Sequence, residues 1–121
     1  MANILLIEDD PALQEAYRFI LEVDGHTVTS AYNGEEGFTS TQGASYDIIL
    51  LDIHMPIMNG IEFLEKFKSV RPESTKIIVF SNMVEPEVEK QALKLGADQC
   101  ILKSTATPTS ILEVVKEMFE A

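Results

Sequence analysis

Four short apolar runs, each followed by a charged or hydroxyl residue, constrain this chain more than any other feature. They are residues 3–7 (Asn-Ile-Leu-Leu-Ile), 47–51 (Asp-Ile-Ile-Leu-Leu), 76–80 (Lys-Ile-Ile-Val-Phe) and 99–102 (Gln-Cys-Ile-Leu). Runs this short and this rich in Ile, Leu and Val suit strands buried on both faces of a sheet. Residues 27–31 (Thr-Val-Thr-Ser-Ala) are more polar and predict a weaker strand at a sheet edge. The first run leads into Glu8-Asp9-Asp10, the second into Asp52, the third into Ser81 and the last into Lys103.

Helical patterns fill the gaps. Leu13, Ala16, Tyr17, Ile20 and Leu21 share one helical face, and Asp10-Pro11 supplies a cap and a first-turn proline. Gly34 to about Thr41 gives a short second helix. Ile61, Phe63, Leu64, Phe67 and Val70 give a third that stops before Pro72. Val88, Ala92, Leu93 and Leu95 give a fourth, ending at Gly96 as helices often do. Ile111, Leu112, Val115, Met118 and Phe119 give a fifth, started by Thr107-Pro108. Strand and helix therefore alternate, which predicts an α/β fold: a parallel, doubly wound sheet with helices on both faces. With 121 residues and no linker, repeat or low-complexity segment, residues 1–121 are expected to form one domain.

Composition narrows the function. The net charge of −11 disfavours direct, nonspecific binding to nucleic acid or to anionic membrane. No apolar run approaches the roughly 20 residues that span a bilayer, and no secretory signal opens the chain. Cys100 is the single cysteine, so no internal disulfide forms, which fits a reducing, cytoplasmic location.

In an open parallel sheet, ligands bind beyond the carboxyl ends of the strands. Glu8, Asp9, Asp52 and Lys103 are all expected there. Clustered carboxylates raise one another's pKa unless a cation neutralises them, and Mg²⁺ is the usual answer for an all-oxygen donor set. The pattern suggests a metal and a phosphoryl group. Asp10 reads as the helix cap. Against the alternative of a lysine reaching out to solvent, the position of Lys103 at the same edge favours a point charge for phosphate, whereas Ser81 taken alone reads as a turn residue.

Taken together, these motifs resemble the response-regulator receiver domain, the chemotaxis-regulator type of module in two-component signalling. The matching residues are Glu8-Asp9, Asp52 with Met55-Pro56 and Asn59-Gly60, then Ser81 and Lys103, and the likeness spans the chain. It implies a flavodoxin-like strand order of 2-1-3-4-5. Asp52 would accept the phosphoryl group as a carboxylate nucleophile. Mg²⁺, with Mn²⁺ as a substitute, would be held by Asp9, Asp52 and the carbonyl of His54, with Glu8 acting mainly through a water. Ser81 and Lys103 would bind phosphoryl oxygens. The implied partners are a histidine kinase or histidine phosphotransfer protein, and a target on the face made by helix four, strand five and helix five. Glu85, Glu87, Lys90 and Lys94 are expected to be exposed there. A monomer or weak homodimer is expected, with no chemistry beyond self-phosphorylation and autodephosphorylation.

The chain departs from the family pattern in places. Cys100 stands where an aromatic ring usually rotates, and reads as a small buried hydrophobe. Ser104 replaces a common proline, which predicts a more mobile loop over 104–107. Asn82 is larger than the usual small residue, and with His54 it is expected to set the lifetime of the phosphorylated state. The His54 side chain is expected to face solvent, and His26, in an Asp-Gly-His turn, to lie on the surface.

Two rivals share part of the pattern. A flavodoxin needs a Ser/Thr-rich phosphate loop where this chain has Glu8-Asp9-Asp10. A haloacid-dehalogenase-like phosphatase needs Asp-x-Asp after the first strand and a cap domain, and neither is found. Within the family, three readings stand: a stand-alone regulator, a receiver from a longer chain with a DNA-binding or enzymatic output domain, and a scaffold or phosphorelay intermediate. The lack of an output domain favours the first.

Overall fold

The computed structural model describes residues 1–82, 85–103 and 107–120. Ten elements alternate: β1 (Asn3–Ile7), α1 (Pro11–Val23), β2 (Thr27–Ala31), α2 (Gly34–Gly43), β3 (Ile48–Asp52), α3 (Gly60–Phe67), β4 (Lys76–Ser81), α4 (Pro86–Lys94), β5 (Gln99–Leu102) and α5 (Pro108–Glu120). All strand pairs are parallel, in the order β2-β1-β3-β4-β5. The expected architecture is the one found. The loop expectation for Ser104, Thr105 and Ala106 lies outside the described residues.

Side chains alternate across each strand, so the sheet divides the core in two. Leu5, Ile7, Ile49, Leu51, Ile77 and Val79 face one side, where Phe63, Leu64 and Phe67 of α3 and Ala92 of α4 cover them, with Phe38 of α2 packed alongside. Ile4, Leu6, Ile48, Leu50, Ile78 and Phe80 face the other, under Tyr17 and Leu21 of α1 and Ile111 and Val115 of α5. Register enforces the division: Leu5 pairs with Ile49, and Ile49 with Ile77. Tyr17 meets the Phe80 ring edge-on at 5.8 Å.

Local chemistry sets the helix starts. Asp10 Oδ1 accepts from the backbone of Ala12 (2.9 Å) and Leu13 (3.4 Å), as expected of a cap. Asn59 and Glu62 form a reciprocal capping box at α3, with bonds of 2.9 and 3.0 Å. Thr107 Oγ1 accepts from Ser110 N at α5.

Several expectations change. Strand β3 is shifted by one residue, so Asp52 closes the strand instead of following it, and β4 likewise includes Ser81. β5 is only half-buried along its length, because it forms a sheet edge. α3 ends at Phe67, leaving Val70 exposed in the following turn, and Ala16, Leu93 and Phe119 also face outward. His26 is buried rather than on the surface. Gly25, at φ +98°, folds the chain back, so that His26 Nδ1 accepts the Ala2 amide at 3.0 Å and Nε2 lies 3.2 Å from Asp24.

Candidate functional site

Strand parity brings the charged residues together. Glu8 continues the even-numbered face of β1, Asp52 that of β3, and Lys103 follows Ile101 on the same side of β5. All three therefore project toward the α1/α5 side of the sheet at its carboxyl edge. Lys103 Nζ lies 2.8 Å from Glu8 Oε1 and 2.9 Å from Asp52 Oδ2, and 5.5 Å from the centre of the Phe80 ring. Glu8 and Asp52 are fully buried, and Asp9, at the mouth, is exposed.

The backbone beneath is held by groups that carry no charge. Gln14, on the core face of α1, is buried, and its side-chain amide reaches the carbonyls of Leu6 (2.9 Å), Ala31 (2.8 Å) and Glu8 (3.2 Å). The ends of β1 and β2 are thus tied to α1 at the point where Glu8 emerges. Gly60 does the same for Asp52. A Cβ at Gly60 would sit 2.5 Å from the Asp52 carbonyl oxygen and 2.8 Å from Ile53 Cα, so the start of α3 lies against the end of β3 only because that side chain is missing. Its amide donates to the Ile53 carbonyl at 2.9 Å. Gly34 N donates to the Met58 carbonyl at 2.8 Å, pinning the β3–α3 loop to α2. Within that loop Ile57 sits at φ +69°, a left-handed conformation that a β-branched residue rarely adopts, with its side chain largely exposed.

Electrostatics at the site are unbalanced. Burial first, and the neighbouring Asp52 side chain second, push the Glu8 carboxyl up from 4.5 to about 8, against the opposing pull of Lys103. Burial lowers the Lys103 ammonium, but the close carboxylates of Glu8 and Asp52 outweigh that and leave it raised. The Tyr17 hydroxyl is raised too, by burial and then by Glu8. Although Lys103 lies close to Glu8, neither buried Glu8 oxygen accepts a well-aligned hydrogen bond. Carboxylate oxygens of Glu8, Asp9 and Asp52 all lie within 4.8 Å of one another. An all-oxygen set of this kind, with one member short of donors and driven toward its protonated form, fits a hard divalent cation.

The other expected residues surround this cluster. Ser81 ends β4, nearly buried, and its carbonyl accepts from Lys103 N at 2.8 Å. Asn82 follows, exposed. The backbone N–H of His54 donates to Asp52 Oδ1 at 3.2 Å. Its side chain is partly exposed, as expected, but Nε2 lies 2.6 Å from Glu85 Oε1 at the start of α4. Glu85 is accordingly half-buried rather than exposed, whereas Glu87, Lys90 and Lys94 are exposed. Cys100 packs against Val79 and the α4 side of the core, and burial, then Glu89, raises its thiol. Gln14 and the His54–Glu85 bond are the parts that sequence reasoning missed, whereas Gly60 stood in the matching motif without its packing role. Gln14 alone left a signal: a polar residue one helical turn before Tyr17 and two before Leu21, on the face those residues bury.

Residues 4–116 match the family described as the response regulator receiver domain. The nitrate/nitrite response regulator protein NarL of Escherichia coli is 37% identical over 118 residues, covering 96% of this chain and 54% of that protein. The gliding motility regulatory protein of Myxococcus xanthus is 32% identical over 103 residues, 84% of this chain and 13% of its own length. The chain thus spans about half, or much less, of the curated relatives it matches. A solved structure of a CheY-like receiver domain protein from Methanospirillum hungatei superposes with a TM-score of 0.92 at 32% identity, over 99% of this chain and 94% of that one. With the doubly wound sheet, the acid cluster and the lysine at its carboxyl edge, this match settles the family: the chain belongs to the response regulator receiver domains of two-component systems.

Proposed function

We propose that Asp52 is a phosphoacceptor and that residues 1–121 act as one cytoplasmic receiver unit. The observation that carries this reading is the buried Asp52 carboxylate lying 2.9 Å from the Lys103 ammonium, beside Glu8 and Asp9, at the carboxyl edge of the sheet. The donor would be a phosphohistidine on a histidine kinase or histidine phosphotransfer protein. An Asp52 oxygen attacks phosphorus, the P–N bond breaks, and the electron pair leaves with the imidazole. Lys103 and the Ser81 hydroxyl bind the phosphoryl oxygens. Glu8, Asp9, Asp52 and the His54 carbonyl would hold Mg²⁺, or Mn²⁺ in its place, which supplies charge neutralisation in a reaction governed by positioning and electrostatics. Asn82, next to Ser81, and His54, two residues after Asp52, set how long the acyl phosphate survives.

The output side is the edge formed by α4, β5 and α5, where a target protein docks as the two conformational states exchange population. The unit itself is a monomer or weak homodimer and binds neither nucleic acid nor membrane directly. Among the described residues no helix is long and apolar enough to cross a membrane. The length relation to its relatives supports a second reading, in which a unit of this kind serves a longer regulator with its own output region.

Intact mass after incubation with acetyl phosphate and Mg²⁺ tests the central claim, beside Asp52→Asn and a metal-free control. One phosphoryl adduct in the native protein, absent from both controls, is the expected result. An adduct that survives in Asp52→Asn would move the acceptor elsewhere.

A further inference from the structure

The His54–Glu85 bond links the loop after β3 to a helix that, among the described residues, has few other anchors at its start. Among the described residues of α4, Ala92 alone is fully buried, Val88 is partly covered, and Leu93 points outward. Its N-cap residue, Glu85, makes no side-chain bond to the first turn. The Glu85 carboxylate is instead spent on His54 Nε2, 2.6 Å away. Because a carboxylate only accepts, Nε2 is the donor. His54 in turn donates its backbone N–H to Asp52 Oδ1. A continuous path therefore runs from Asp52 through one residue to the first turn of α4.

We propose that the His54–Glu85 bond is a latch holding the start of α4 in the unmodified protein, and that a phosphoryl group on Asp52 opens it. The opening rests on the reading of Asp52 as phosphoacceptor. Phosphorylation adds about −1.5 to −2 charges and three acceptor oxygens beside His54. The imidazole then has a stronger acceptor two residues away at the end of β3, and Glu85 faces a new like charge. Both effects weaken the hold on Glu85. Both partners are partly exposed, and such bonds are individually weak; that suits a contact meant to open. Glu85 also lines a small recess beneath the helix, together with Val79, Val88, Ala92 and Cys100.

Amide hydrogen exchange of residues 86–94 tests the latch, in Mg²⁺ buffer and again with saturating beryllofluoride as the phosphoryl analogue. Without the analogue, E85A and H54A should each speed exchange at least about threefold, and the double variant should go no further than either single one. E87A removes a carboxylate in the same turn and should leave the rate unchanged. Native rates in E85A, or additive effects in the double variant, would overturn the latch. With the analogue bound, shown by its fluorine resonance, the native α4 should reach the E85A rate and E85A should not respond. A native α4 that stays protected despite bound analogue would rule out the opening step. If no bound fluorine signal appears, the acceptor reading is the one that fails, and the comparison without analogue decides the latch.

Discussion

Glu8 offers the sharpest test of the electrostatics, because its effect on stability runs opposite to the usual carboxylate. The carboxyl is raised from 4.5 to about 8, mainly by burial. In the window between those values the metal-free folded protein holds a proton that the unfolded chain has released. Stability therefore falls as pH rises through the window, by up to about 1.4 kcal/mol per pH unit. By pH 7 the accumulated penalty is on the order of 2–4 kcal/mol. Glu8→Gln keeps the shape and cannot titrate. In EDTA the variant should be about as stable as the native protein near pH 5 and more stable by that amount at pH 7. Mg²⁺ should narrow the gap by stabilising the native protein more than the variant, because it binds the folded state and favours the ionised Glu8 carboxylate. Urea unfolding followed by far-ultraviolet circular dichroism at pH 5, 6, 7 and 8, with EDTA or Mg²⁺, measures the difference directly. Parallel pH profiles for the two proteins in EDTA would refute the reasoning.

Other substitutions probe the frame around the acceptor. Gly60→Ala places a Cβ within 2.5 Å of the Asp52 carbonyl oxygen, where only backbone could give way; it should cost about 1–3 kcal/mol in urea unfolding and slow adduct formation with acetyl phosphate. Ile57→Asn relieves a left-handed β-branched residue with a largely exposed side chain. It should stabilise by about 1 kcal/mol and raise the thermal midpoint by several degrees. Asn82→Ala opens the approach to the acceptor and should change the autodephosphorylation rate severalfold, read by the decay of the phosphoryl adduct; an unchanged decay would remove Asn82 from that role.

What was legible in the sequence was whatever alternation alone controls. The apolar runs fixed the strands, and the residue after each run fixed the corners of the site, because a side chain's face follows from counting residues along a strand. Glu8, Asp52 and Lys103 meet for that reason. The one-residue shift of β3 was not legible, since Asp47 and Asp52 flank the run symmetrically and only pairing with β4 decides which acid joins the ladder. The half-burial of β5 was hidden because the apolar pattern of an edge strand is the same as that of a central one. His26 was misplaced because a turn sequence gives no sign of an N-terminal amide folding back over it. The His54–Glu85 bond joins residues 31 positions apart on different elements, and no local pattern encodes that meeting.

The sheet that organises this protein also partitions it. Glu8, Asp52 and Lys103 lie on the side covered by α1 and α5, whereas α4 and Cys100 belong to the opposite side. Between them stand strands whose buried side chains are apolar on both faces. On the proposed reading, a phosphoryl group on Asp52 would reach α4 around the carboxyl edge, through Ser81 and the β3–α3 loop. Repacking the interior on the α2/α3 side should then alter how stable the protein is without altering what the acceptor communicates. Changes along the rim should do the reverse.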